Sequence, residues 1–180
     1  MVGGAVQLLA RRGLHATSFS EVLALTGAPR GSLYHHFPEG KDQMVAAAVD
    51  MAGAFLVDAL DRKAGASATE ITQHFLAIWR AVLTRSEYQS GCAVLAVTVA
   101  TDSADLMSHA VTVFRAWRER LAQLLEQGGL PAAQAMRFAI TLIASAEGAV
   151  VLSRAEQGIE PFDAVATQLI DQVRRMTEPP

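Results

Sequence analysis

Cysteine is almost missing from the 180-residue sequence: Cys92 stands alone. One cysteine makes no disulfide within a chain and no cysteine-based metal cluster, and it suits a reducing compartment such as the cytoplasm. Charge is also sparse. Asp, Glu, Lys and Arg make up 18% of the residues against 51% apolar ones, a balance that excludes a disordered chain. Long uninterrupted apolar runs are lacking too. The longest nearly uncharged stretch, Phe138 to Ser153, is broken by Glu147 and reads as too short to cross a membrane. Met1-Val2-Gly3-Gly4 lacks a basic run followed by an apolar core and a cleavage site, so no signal peptide is expected. No G-x-S-x-G, Gly-rich phosphate loop or H-E-x-x-H occurs, so neither an enzyme nor a bound metal or cofactor is expected.

What is present is apolar residues in excess of what a small monomer has to hide, as if part of them covers a partner surface or lines a cavity. The net charge is −3, but it is unevenly spread. Residues 1–45 carry four basic against three acidic side chains and three of the five histidines, whereas the remainder carries eleven basic against fifteen acidic ones. A slightly basic head on an acidic body permits nucleic-acid binding through the head alone.

The periodicity predicts an all-α chain of about nine helices. Val2, Val6 and Leu9 mark the first, which stops at Gly13. Ser18-Phe19-Ser20-Glu21 reads as a capping box opening a second, which ends near Gly27. Pro29 sits well in the first turn of a third, ending near Pro38. A fourth runs from about Lys41 to Leu60, and Ser67 or Thr69 caps the next. Breaks at Ser90-Gly91, Gly128-Gly129 and Gly158 separate the rest. Two parts are expected: a three-helix head over residues 1–45 and a helical body over 46–180.

Three short helices with a tight Gly-containing turn between the second and third match a helix-turn-helix. The stretch from Thr17 to Pro38, densest at Gly31-Ser32-Leu33-Tyr34-His35-His36-Phe37 and followed by Lys41, resembles the DNA-binding signature of the TetR family of repressors. The run Gly91-Cys92-Ala93-Val94 is similar to the LmrA-like branch of that family. The resembled family carries basic residues ahead of its first helix. Here the numbering starts at that helix, so such an arm either lies outside it or is absent, and absence would weaken electrostatic affinity for DNA.

The resemblance and the chemistry together assign roles in the head. Pro29 and Arg30, at the start of the recognition helix, are placed against DNA, and Arg30 can bond a guanine edge, or else is a solvated arginine. Ser18, Ser32 and Tyr34 have hydroxyls suited to phosphate oxygens, Ser18 also as a cap, and Tyr34 alternatively in the head's core. His35 is a groove or phosphate contact, and His36 packs within the head. Adjacent helical residues diverge by about 100°, so the two histidines do not share an ion. Lys41 suits a phosphate. Val22, Leu33 and Phe37 are head core, with Leu33 also able to reach a thymine methyl.

In the resembled family the body surrounds a ligand cavity and pairs two copies. The residues implied for the cavity are His74, Phe75 and Trp79, then Met107, Phe114 and Trp117, then Ile143 and Glu147; each has the alternative of plain core. Glu147 interrupts an apolar helix and needs a partner if buried. The dimer is expected through the last two long helices, at Ala146, Ala149, Leu169 and Val173. The function implied is a homodimeric repressor, released from a palindromic DNA operator by a small apolar or aromatic effector. A helical regulator with no effector, and a small-molecule-binding protein with a vestigial head, are the alternatives.

Overall fold

The computed structural model describes residues 1–177, and of Leu33 and Tyr34 the backbone alone. Nine helices occur among the described residues. They are α1 (Val2–Arg12), α2 (Phe19–Thr26), α3 (Arg30–His36), α4 (Lys41–Asp61), α5 (Ala68–Arg85), α6 (Ala93–Thr98), α7 (Ala104–Gln127), α8 (Ala132–Glu156) and α9 (Glu160–Thr177). No strand is found among those residues, as expected for the all-α class.

Contacts divide the chain into two compact units. The first holds Met1–Phe55 with Cys92–Arg115; the second holds Leu56–Gly91 with the chain from Ala116 onward. In the first, α1 packs on α2 and on α6, with Leu9 and Val22 fully buried. A Cβ at Gly4 would run into Thr26 Cγ2, so glycine lets α1 and α2 meet. Gly53 likewise brings α4 to α7, since a Cβ there would lie 2.7 Å from Val113 Cγ2. One turn away, His109 Nδ1 lies 3.0 Å from Asp50 Oδ1. Cys92 is buried and caps α6, its sulfur accepting from the Leu95 N–H at 3.3 Å.

In the second unit α5, α8 and α9 pack on one another around Phe75, Phe138 and Phe162, each at most 2% exposed. Ser67 opens α5 with a complete capping box: its hydroxyl accepts from the Glu70 N–H, and Glu70 accepts from the Ser67 N–H. The Ser67 hydroxyl also donates to the Glu70 carboxylate at 2.7 Å, and that bond, with the one from the Ser67 N–H, holds the Glu70 carboxyl below its ordinary pKa. At the far end of α7, Gly128 lies against the start of α5. A Cβ there would stand 2.5 Å from Ala68 N, whose N–H donates to Gly128 O at 3.0 Å. Arg80 of α5 grips Asp163 of α9 with two hydrogen bonds, 2.9 and 3.0 Å long, which holds the Asp163 carboxyl below its ordinary pKa. The buried Ser153 hydroxyl accepts from the Phe162 N–H, tying α8 to the start of α9.

Helices α4 and α8 are each long and apolar enough to cross a membrane by length and composition, which corrects the sequence estimate for the second. About half of each apolar window, 50% and 44%, is buried inside the protein. This fits core helices of a folded body, and α8 buries the carboxylate of Glu147 among its apolar residues.

Candidate nucleic-acid interface and the helical body

The head's geometry starts at two caps. Ser18, in extended backbone, accepts the Glu21 N–H at 3.3 Å and starts α2. Gly27 ends it with φ 67° and ψ 11°, left-handed backbone that a Cβ resists. Its N–H returns to Leu23 O, and the chain then turns into α3 through Ala28 and Pro29. The second half of the expected capping box is not formed. Glu21 turns outward to Arg12 at 2.8 Å, where it ties α2 to α1, and the Ser18 hydroxyl also meets that of Ser20 at 2.9 Å.

Arg30 and Pro29 are exposed, and Arg30 has no ion-pair partner among the described residues. Ser32 is half-buried, and His35 and His36 are exposed. The His35 and His36 rings meet edge-on at 5.7 Å, and His36 leans on Phe37, itself buried. The side chains of Leu33 and Tyr34 lie outside the described residues. Lys41 has a job that the sequence did not disclose: its Nζ donates to Leu14 O at 2.9 Å, fastening the start of α4 to the chain after α1. Thr17, fully buried, also went unremarked. Its hydroxyl donates to Gly13 O and closes the turn between α1 and α2.

The residues singled out in the body fall into both units. Met107 and Phe114 belong to the first and are half-buried there. The other six belong to the second. Phe75, Trp79, Trp117 and Glu147 are buried, and Ile143 is half-buried. The indoles of Trp79 and Trp117 meet edge-to-face with centroids 6.4 Å apart, a favoured aromatic geometry. Trp79 Nε1 is buried without a hydrogen-bond partner among the described residues. His74 is half-buried, and its Nε2 lies 2.8 Å from Ala59 O, so one of its ring nitrogens is already engaged with the end of α4.

The expected dimer residues are placed differently. Ala146, Ala149 and Val173 are at most 1% exposed, and Leu169 is 4% exposed, within one chain. They pack its own core and offer almost no area to a partner. The open face of α8 is instead Ile140, Ala144, Gly148, Val151 and Leu152. Beside it lies a shallow groove of about 370 Å³ between Thr141 and Ser145 of α8 and Ala164, Val165, Gln168, Leu169 and Gln172 of α9.

Residues 2–48 match the family model of bacterial regulatory proteins of the tetR family. Residues 68–168 match that of the C-terminal domain of LmrA/YxaF-like transcriptional regulators. An uncharacterized HTH-type transcriptional regulator of Mycobacterium tuberculosis is 35% identical over 176 residues, spanning 94% of this chain and 90% of its own length. The chain belongs to the TetR family. Members of this family are DNA-binding transcriptional regulators and not enzymes. Solved TetR structures agree in fold. A regulatory protein TetR from Rhodobacter sphaeroides superposes with a TM-score of 0.83 at 20% identity, covering 94% of this chain and 95% of that one. FadR of Bacillus subtilis, in complex with stearoyl-CoA, gives 0.71 at 14% identity over 96% and 95% of the two chains. At these identities the likeness speaks for the fold alone.

Proposed function

We propose that this TetR-family chain is a cytoplasmic, homodimeric repressor that binds an inverted-repeat operator and leaves it when a small apolar effector enters the body. The observation that carries the DNA half is the left-handed turn at Gly27 leading into α3, whose first residue, Arg30, is exposed and unpaired among the described residues. A seven-residue helix reads few base pairs, so two copies reading two half-sites give the required specificity. Arg30 meets a base edge, with Ser32 and His35 following it along the helix, and Tyr34 and Leu33 remain assigned to phosphate and thymine methyl. Lys41 serves the DNA indirectly, by fixing the head's last loop through Leu14 O.

The dimer is supported by the open face of α8, where no exposed residue between Arg137 and Glu156 carries charge. A second copy of that face and of the adjoining groove completes a four-helix bundle of α8 and α9. The effector half is supported by Trp79 and Glu147, buried among the mostly apolar core residues of the body. An apolar ligand with one hydrogen-bond acceptor would satisfy the Trp79 indole N–H. FadR of Bacillus subtilis, which shares the fold, is in complex with stearoyl-CoA, and this supports reading the body as the seat of an apolar effector.

Selection of duplexes from a random library by the purified protein tests the reading. It is expected to return a two-fold symmetric motif. Arg30→Ala is expected to cost about 1–3 kcal/mol on that motif and to relax its base preference. A selection that returns no symmetric motif overturns the proposal.

A further inference from the structure

Left-handed backbone is costly for any residue with a Cβ, and residues that adopt it do so singly. Among the described residues three that are not glycine have a positive φ: Glu87 at 51°, Tyr88 at 60° and Gln157 at 52°. None is asparagine or aspartate, the types that tolerate this shape best. A helix commonly ends on one left-handed residue, which accounts for Gln157 after α8. It does not account for the adjacent pair after α5. All three belong to the second unit and are tied together there. Gln89 Nε2 donates to Gln157 Oε1 at 2.9 Å, and Arg154 Nη2 donates to Gln89 O at 3.2 Å, across 68 and 65 residues of sequence. Gly91 makes the room for this. A Cβ there would stand 2.9 Å from Arg154 Nη1 and 3.5 Å from Val150 Cγ1.

We propose that residues 86–91 form a strain-loaded latch: the end of α8, through Arg154 and Gln157, holds this turn in a shape it would otherwise leave, and so gives the entry to α6 a second, open state. Strained backbone persists only where its surroundings over-determine it. Within the turn the Tyr88 N–H donates to Leu83 O at 2.8 Å, the Gln89 N–H to Ser86 O at 3.0 Å and the Ser90 N–H to Ser86 Oγ at 3.0 Å. Those bonds are local, and the grip from outside is that of Arg154 and Gln157. Gln89 and Gln157 are exposed and Arg154 is half-buried, so water can replace their hydrogen bonds at little net cost. Opening loses these few bonds and sheds the strain of Glu87 and Tyr88. The two terms oppose each other, which brings the open turn far closer in free energy than the unfolded chain. An unstrained turn would only lose by opening. Gly91 thereby acquires a role as the seat of the Arg154 guanidinium, immediately before Cys92 caps α6. The latch stands apart from the DNA-binding and effector readings.

Native-state hydrogen exchange of the Tyr88, Gln89 and Ser90 amides reads the latch. The parent chain is compared with Arg154→Met, with Glu87→Gly and Tyr88→Gly combined, and with all three changes together. Glycine takes the left-handed shape without strain, so the glycine pair is expected to raise Tm by about 2–4 °C. Arg154→Met keeps an apolar stem and removes the guanidinium. Alone, it is expected to speed exchange of the three amides about tenfold. Beside the glycine pair it is expected to speed them less than about threefold, because the turn then keeps its shape unaided. An equal acceleration in both backgrounds makes Arg154 a plain hydrogen-bond donor and overturns the proposal, as does no acceleration in either. A glycine pair that lowers Tm also overturns it, and that measurement stands even if Arg154→Met does not fold.

Discussion

Helices α8 and α9 lie against each other but solve opposite problems. In α9 the apolar residues fall on one side: Phe162, Leu169 and Val173 are buried, while Asp163, Asp171, Arg174 and Arg175 are turned toward water. Its single apolar face is used up by α5 and α8. In α8 nine residues are buried, yet the opposite side still presents Ile140, Val151 and Leu152, each about half exposed at 47%, 51% and 52%. A helix that is apolar on both sides has one face left over after its own chain has folded. That leftover face is the place to look for a partner, and a residue's apolarity alone does not say which face it is on.

The sharpest way to break this comparison is to put a charge on each side of α8 in turn. Ala149→Arg buries a guanidinium in the core and is expected to cost roughly 4 kcal/mol or more, so the chain fails to fold. Ala144→Arg places the same group on the open face. It is expected to leave the helical content by circular dichroism intact while sedimentation falls from dimer to monomer. A parent chain that sediments as a monomer at micromolar concentration would remove the partner from the argument. The next largest effect belongs to α9. Phe162→Ala, at a residue 1% exposed, is expected to lower unfolding stability by about 3–5 kcal/mol in a urea titration.

The smallest effect sharpens how α9 is held. Arg80 and Asp163 are half exposed, with side chains at 50% and 42%, so their pair contributes below about 1 kcal/mol. The Asp163 carboxyl is lowered by the Arg80 hydrogen bonds. Its contribution is then fully present above the unfolded value, about 3.9, and is lost as pH falls through the folded one. Stability curves of the parent and Asp163→Asn should differ near neutral pH and converge below about pH 4. A constant offset down to lower pH would show that the pair is not the source.

The elements themselves were legible from the sequence. Nine helices and their breaks follow from apolar spacing, from caps such as Ser67 and from the turn at Gly27, because each of these is a local signal. What stayed hidden depends on residues far apart. Lys41 looked free for a phosphate because its acceptor, Leu14 O, lies 27 residues away in sequence. Glu21 fitted a capping box until Arg12, nine residues earlier, drew it off. Ala146 and Ala149 were indistinguishable from Ala144 and Gly148 by composition, since only the packing of α5 and α9 decides which side of α8 turns inward.

The contact at Gly128 bears on how this protein can drift in sequence. The segment between α4 and α5 is joined by short turns at Lys63, Ala64 and Ala66 and is mostly exposed, so it can change length and residue type with little consequence. The point where α5 begins cannot, because a single added carbon at residue 128 meets main chain and not a side chain that can swing away. A freely varying connection therefore ends on a position with almost no choice of residue, and what has to be kept there is a gap.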